Sequence, residues 1–217
     1  MINNLLNVFN LSVVKRFPRH ATREAIKLFG QSKITIAEIG ICQGEHTTQL
    51  FKRLNISKAY LIDPYEEHEE YLQSEPIKIQ EVLNKDLKVA KINLNPYSKR
   101  IVWIKDYSDN VVDKIPEVDF IYIDGNHSYN QVSRDLENYW NKIKVGGIFA
   151  GHDSCNKDVI NALIKFCYEK RLTLNISRED WWIVKTSKSQ KANPKVFKLQ
   201  NPKKEVENGK KNSVFKN

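Results

Sequence analysis

An apolar run, VDFIYI at 118–123, ends abruptly in Asp124, Gly125, Asn126 and His127, and a helical pattern opens at Ser128. A carboxylate and an imidazole three residues apart at the end of a buried strand could do chemistry. The carboxylate offers oxygen ligands to a hard cation or a polar ligand. The imidazole titrates near neutral pH and can take up a proton. The competing explanation is local: Asp-Gly forms turns readily, and His127 would then pack beside a capped helix.

Other apolar runs also end in residues with chemical potential. The first reads AEIGICQGEHT, residues 37–47. Gly40 and Gly44 permit a tight turn and a close backbone approach to a ligand, and the following helix would aim its N-terminus at it. The third glycine of the dinucleotide fingerprint is missing, which disfavours an NAD-dependent oxidoreductase. Glu38, two residues before Gly40, disfavours a pyrophosphate and suits an ammonium group. S-adenosylmethionine, with its amino group and sulfonium, meets that requirement. Asp63, in LIDPY, can grip two ribose hydroxyls, with a turn before Pro64 as the alternative. Asp106, in WIKDYSD, can accept from an adenine amino group, with turn formation competing.

These residues need a scaffold that brings strand ends together. The spacing predicts strands over 34–39, 58–63, 100–104, 118–123, 146–151, 172–176 and 181–185, with helices over 46–54, 77–91 and 159–170 and a further one after Ser128. Ser128 and Gln131 match a capping box, followed by Tyr129, Val132, Leu136, Tyr139, Trp140 and Ile143 at helical spacing. Strands alternating with helices predict an α/β fold: a doubly wound, mostly parallel seven-stranded sheet. The last two strands have no helix between them and should form an antiparallel hairpin. Trp181 and Trp182 read as core and hairpin packing, and His20, His46 and His68 as surface or packing residues. Ligands of such sheets bind beyond the carboxyl ends of the strands.

Composition limits the alternatives. The 217 residues are 41% hydrophobic and 28% charged, which is globular. No stretch approaches the ~20 apolar residues of a membrane span. Ile2, Leu5, Leu6, Phe9 and Val13 follow helical spacing, so residues 1–30 read as a helical cap, with a membrane-surface helix as the sharper alternative; no signal peptide is read there. Cys42, Cys155 and Cys167 form no CxxC pair, and a reducing, cytoplasmic compartment is expected. Residues 186–217 hold nine lysines against Glu205 and Glu207, so most of the net charge of +9 lies in a basic tail expected to be disordered. The body, 31–185, forms the main domain. Contact of the tail with nucleic acid or an anionic membrane is the alternative to a solvated tail.

The segments AEIGICQG, LIDPY, VDFIYIDGNHSYNQVSRDL and VGGIFAGHD together resemble class I S-adenosylmethionine-dependent methyltransferases. Within these the likeness is to the small-molecule group of macrocin O-methyltransferase and cephalosporin-hydroxylase-like proteins, over roughly residues 33–185. The resemblance implies a last strand antiparallel to the rest. It implies a divalent cation, Mg²⁺, on Asp124 and Asp153, although His152 stands where some members carry another acid. It also implies His127 as the base. The expected activity is methyl transfer to a hydroxyl of a small molecule, a sugar or other metabolite. A second reading gives RNA or protein as acceptor, with the basic tail as an electrostatic tether; the body shows no basic stripe with interleaved aromatics to support it. A third is a non-catalytic binding module, for which the acids at three strand ends would have no purpose.

Overall fold

The computed structural model describes residues 18–67, 79–187 and 198–199. Its helices are α1 (His20–Phe29), α2 (Glu45–Arg53), α3 (Ile79–Leu94), α4 (Tyr129–Trp140) and α5 (Lys157–Lys170). Its strands are β1 (Ile34–Ile39), β2 (Ile56–Ile62), β3 (Ile101–Ile104), β4 (Val118–Ile123), β5 (Ile143–Gly151), β6 (Asn175–Ser177) and β7 (Asp180–Val184). A two-residue strand, β8 (Lys198–Leu199), lies parallel to β6 at the sheet edge. The N-terminal hydrophobic spacing, His68 and most of the basic tail lie outside the described residues.

The strand order is β3-β2-β1-β4-β5-β7-β6-β8. The first five strands pair in parallel. β7 runs antiparallel to β5 and closes the expected hairpin with β6, Ser177 facing Asp180. The doubly wound fold read from the sequence is therefore present. The chain runs outward from β1 to β3 and returns to β4, so the switch in direction lies between β1 and β4, where such folds open a crevice.

Alternating side chains of the central strands feed two cores. Ala37, Ile39, Ile121 and Ile123 pack with Leu136, Tyr139 and Trp140 of α4 and Leu163 and Phe166 of α5. Ile34, Ile36, Phe120 and Tyr122 pack with Ala21 and Ala25 of α1, Leu50 and Phe51 of α2 and Leu94 of α3. Both faces of β1 and β4 are thus covered, which is why these strands read as nearly continuous apolar runs. Trp181 faces the first core and Trp182 the second, both buried.

The capping box expected at Ser128 does not form. Ser128 occupies the N-cap position without a side-chain cap. Its own N–H instead donates to Asn126 Oδ1 (2.8 Å), an Asx turn that sets the approach to α4. Gln131 is drawn away toward Ser108 and Asp135. The side-chain cap that does form is at α5, where Asn156 Oδ1 accepts from the N–H groups of Asp158 and Val159. Among the described residues no helix is long and apolar enough to cross a membrane.

Candidate active site

Gly40 ends β1 at φ +81°, and a Cβ there would stand 2.0 Å from the Asp124 carbonyl oxygen. Only a residue without a side chain lets the first turn lie flush against the end of β4. Beside this contact is a cavity of about 210 Å³, lined among others by Gly40, Cys42, Asp63, Tyr107, Asp124 and Asp135. Gly44, the N-cap of α2 at φ +72°, faces Leu94 and Ala90 of α3 instead.

Asp63 stands at the mouth of the turn. Its carboxylate accepts from the N–H of Ile41 (2.8 Å), Cys42 (3.1 Å) and Tyr65 (2.8 Å). Burial raises its pKa, and the three N–H groups oppose that rise. It lines the cavity and also fastens the β1 turn to the β2 end, so the turn role and a ligand role coexist. Glu38 points away from the cavity. It is 2% exposed, accepting from Thr47 Oγ1 (2.6 Å) and pairing with His46 Nδ1 (2.9 Å). His46 is in turn bonded to Thr22 and packed on Tyr122. Asp106 is also outside the cavity. It accepts from Asn110 Nδ2 and from the Tyr107 N–H, and these hydrogen bonds hold its pKa low. Its neighbours Tyr107 and Ser108 take the cavity wall instead.

The ends of β4 and β5 are adjacent because the strands pair through Ile123 and Gly151. That register brings Asp124, His127, His152 and Asp153 together. Asp153 Oδ2 lies 2.9 Å from His127 Nε2 and 3.0 Å from His152 Nδ1. Those two close imidazole contacts, His127 first, hold the Asp153 carboxyl far below its usual range. The bond to Asp153 raises the pKa of His152, whose Nε2 lies 3.3 Å from Glu179 Oε2. Asp124 is desolvated, yet its pKa is low because the neighbouring His127 and Arg19 together outweigh burial. Arg19 Nη1 donates to Asp124 Oδ2 (2.6 Å) and to the Tyr122 hydroxyl (2.9 Å). Tyr122 then donates to Asp180 Oδ1 (2.8 Å).

Asp124, Asp153 and His152 each offer one ligand atom within 4.8 Å of the others. Two carboxylates and an imidazole form a donor set that fits a divalent cation, although Mg²⁺ ordinarily prefers oxygen alone. Arg19 already places a positive charge on one oxygen of Asp124, so a cation would share that carboxylate with it.

Sequence reasoning missed Arg19 and Asp135. Arg19 meets Asp124 across 105 positions, and no local pattern signals such a pair. Asp135, 1% exposed, accepts from Ser108 Oγ (2.6 Å) and Gln131 Nε2 (3.2 Å) on the cavity wall. Its signal was an acid on the apolar face of a helical pattern.

A family model described as a methyltransferase domain matches residues 37–154. Uncharacterized protein R132 of Acanthamoeba polyphaga mimivirus is 25% identical over 140 residues, which cover 62% of this chain and 58% of that protein. The chain thus spans less than two thirds of the length of this curated relative. Among solved structures, an rRNA methylase from Streptococcus thermophilus superposes with a TM-score of 0.56 at 12% identity, covering 81% of this chain and all of that one. A candidate caffeoyl-CoA O-methyltransferase from Staphylococcus aureus gives 0.55 at 16% identity over 84% and 90% of the two chains. The MycE methyltransferase of the mycinamycin biosynthetic pathway, in complex with Mg, SAH and mycinamycin VI, gives 0.52 at 12% identity over 88% and 56%. At these identities the likeness is one of fold.

Proposed function

The chain belongs to the methyltransferase-domain family, and from that premise we propose that it transfers a methyl group from S-adenosylmethionine to a hydroxyl oxygen of a small molecule, a sugar or related metabolite, as in the macrocin O-methyltransferase group. The observation that carries this reading is Asp124, which lines the cavity that Gly40 and Asp63 also shape and stands in one cluster with His127 and Asp153.

S-adenosylmethionine supplies an electrophilic methyl on a sulfonium, so the protein's tasks are to align an oxygen and remove its proton. His127 accepts that proton. Its Nε2 lies 2.9 Å from Asp153 Oδ2, which holds the ring within the cluster. Asp63 holds the glycine turn closed and presents its carboxylate to the ribose. Asp124, fixed by Arg19, orients the acceptor. Asp124, Asp153 and His152 would hold a divalent cation, which lowers the pKa of a bound hydroxyl.

Calorimetry with S-adenosylhomocysteine tests the cofactor half: saturable binding is expected from the full chain, and its absence overturns the reading. His127→Ala tests the chemical half. It should keep S-adenosylhomocysteine affinity while turnover, read by mass spectrometry of methylated metabolites, falls about 10²–10⁴-fold. An unaffected turnover would remove His127 from the mechanism.

A further inference from the structure

The Asp124–Arg19 ion pair is a partition. Asp124 faces the cavity described above, whereas Arg19 and His152 line a second cavity of about 380 Å³, whose wall also includes His20, Arg23, Arg178 and Glu179. That volume is in the range of small-molecule sites. One side of this second cavity is therefore shared with the cluster of Asp124, His127 and Asp153.

The charges around it are unevenly matched. Arg19 is neutralised by Asp124. Asp180, 3% exposed, is consumed by the Ala21 N–H (2.9 Å) and the Tyr122 hydroxyl (2.8 Å). Glu179 faces His152. Arg23 and Arg178 are exposed and have no acidic partner among the described residues. They flank His20, whose imidazole bonds Ser177 Oγ (2.8 Å) and whose pKa is lowered by burial first and then by the two arginines. Arg178 also occupies a backbone position that disfavours it. It begins the β6–β7 turn at φ +56°, where glycine or asparagine would sit without strain. A local rule is broken at this point, and the result is a guanidinium at the cavity mouth.

We propose that this second cavity is the acceptor subsite and that Arg23 and Arg178 bind an oxyanion, phosphoryl or carboxylate, carried by the acceptor. The inference rests on the methyltransferase reading and adds a substrate class to it: an anionic hydroxyl compound rather than a neutral one. Guanidinium forks match the oxygen spacing of both groups, and their hydrogen bonds to an anion are charge-assisted. With its anionic end held there, an acceptor extends past Arg19 and His152 toward Asp124 and Asp153, which these two residues contact.

The test is an NMR titration of the full chain, following arginine Nε–H signals. The probes are inorganic phosphate, acetate and chloride at matched ionic strength. Saturation by phosphate or acetate but not by chloride is expected, and the tighter of the two identifies the group. Arg23→Gln and Arg178→Gly should each weaken that binding at least tenfold and leave S-adenosylhomocysteine affinity as it was. Arg178→Gly relieves a strained turn, so its melting temperature should be no lower than that of the parent protein; lost binding then cannot be ascribed to unfolding. The lysine-rich tail is intact in both variants, so anion binding there is unmoved by them. Absence of saturable oxyanion binding, or affinity unchanged in both variants, overturns the proposal. Failure of the parent chain to bind S-adenosylhomocysteine overturns the methyltransferase reading instead, a separate outcome of a separate titration.

Discussion

Asp135 shows what a single carboxyl can impose on the molecule. Burial pushes its pKa up to about 7, against hydrogen bonds from Ser108 and Gln131 that favour the ionised form. The folded state therefore binds this proton more tightly than the unfolded chain does. The sign follows from linkage: this residue's contribution is most favourable below pH 4, is lost as pH rises from about 4 to about 7, and stays lost above. Asp135→Asn, an isostere of the neutral acid, should stabilise the protein at pH 8 by roughly 2–4 kcal/mol and change little at pH 4. Urea denaturation at the two pH values reads this; an equal difference at both would show that the ionisation of Asp135 plays no part. At this scale the sequence was partly legible. Asp63 and Asp124 sit where acids ending apolar runs were expected, on the cavity wall. Glu38 and Asp106 sit elsewhere because nearer partners, His46 and Thr47 in one case and Asn110 in the other, claim their oxygens. Such competition depends on rotamers and neighbours that a linear pattern does not encode.

Among the elements, β1 and β4 match the sequence reading residue for residue, since strands covered on both faces leave uninterrupted apolar runs. β6 is shorter than its apolar stretch, because only Asn175–Ser177 find partners on β7. The start of α4 was read correctly at Ser128 but its cap was not, because Asn126, outside the box motif, captures the N–H that the motif would use. The glycine turn was read correctly as tight, but for only part of the reason: Gly40 is small to admit the backbone of Asp124. Gly40→Ala should consequently do more than disturb a loop. By forcing the β1 and β4 ends apart it should destabilise the protein by roughly 2–4 kcal/mol and weaken S-adenosylhomocysteine binding. Thermal melting and calorimetry on the same sample would expose the error if stability were unchanged.

At the scale of the whole molecule, strand order creates the candidate site: β4 and β5 are neighbours, and their ends carry Asp124, His152 and Asp153 into one cluster. Alternation of strands and helices made the doubly wound architecture legible, while the pairing of Arg19, before α1, with the β4 end was not, because the partners lie 105 residues apart. Deleting residues 187–217 removes the β8 pairing with Asn175 and Ile176, and should cost only about 1–2 kcal/mol, the net worth of one or two hydrogen bonds, with S-adenosylhomocysteine affinity preserved. Insoluble protein after truncation would show that the tail is part of the fold.

The bonds of α1 also set an order of assembly. Arg19 is made 105 residues before its partner Asp124, and Ala21 159 residues before Asp180, which accepts from it. At about 5–20 residues per second of synthesis, α1 waits on the order of 8–30 s before its last anchor exists. Helix α1 is thus among the last pieces to dock, and the wall between the two cavities closes only when the C-terminal hairpin has emerged. Until then the nascent chain carries an open acidic cleft with its arginine clasp still undone.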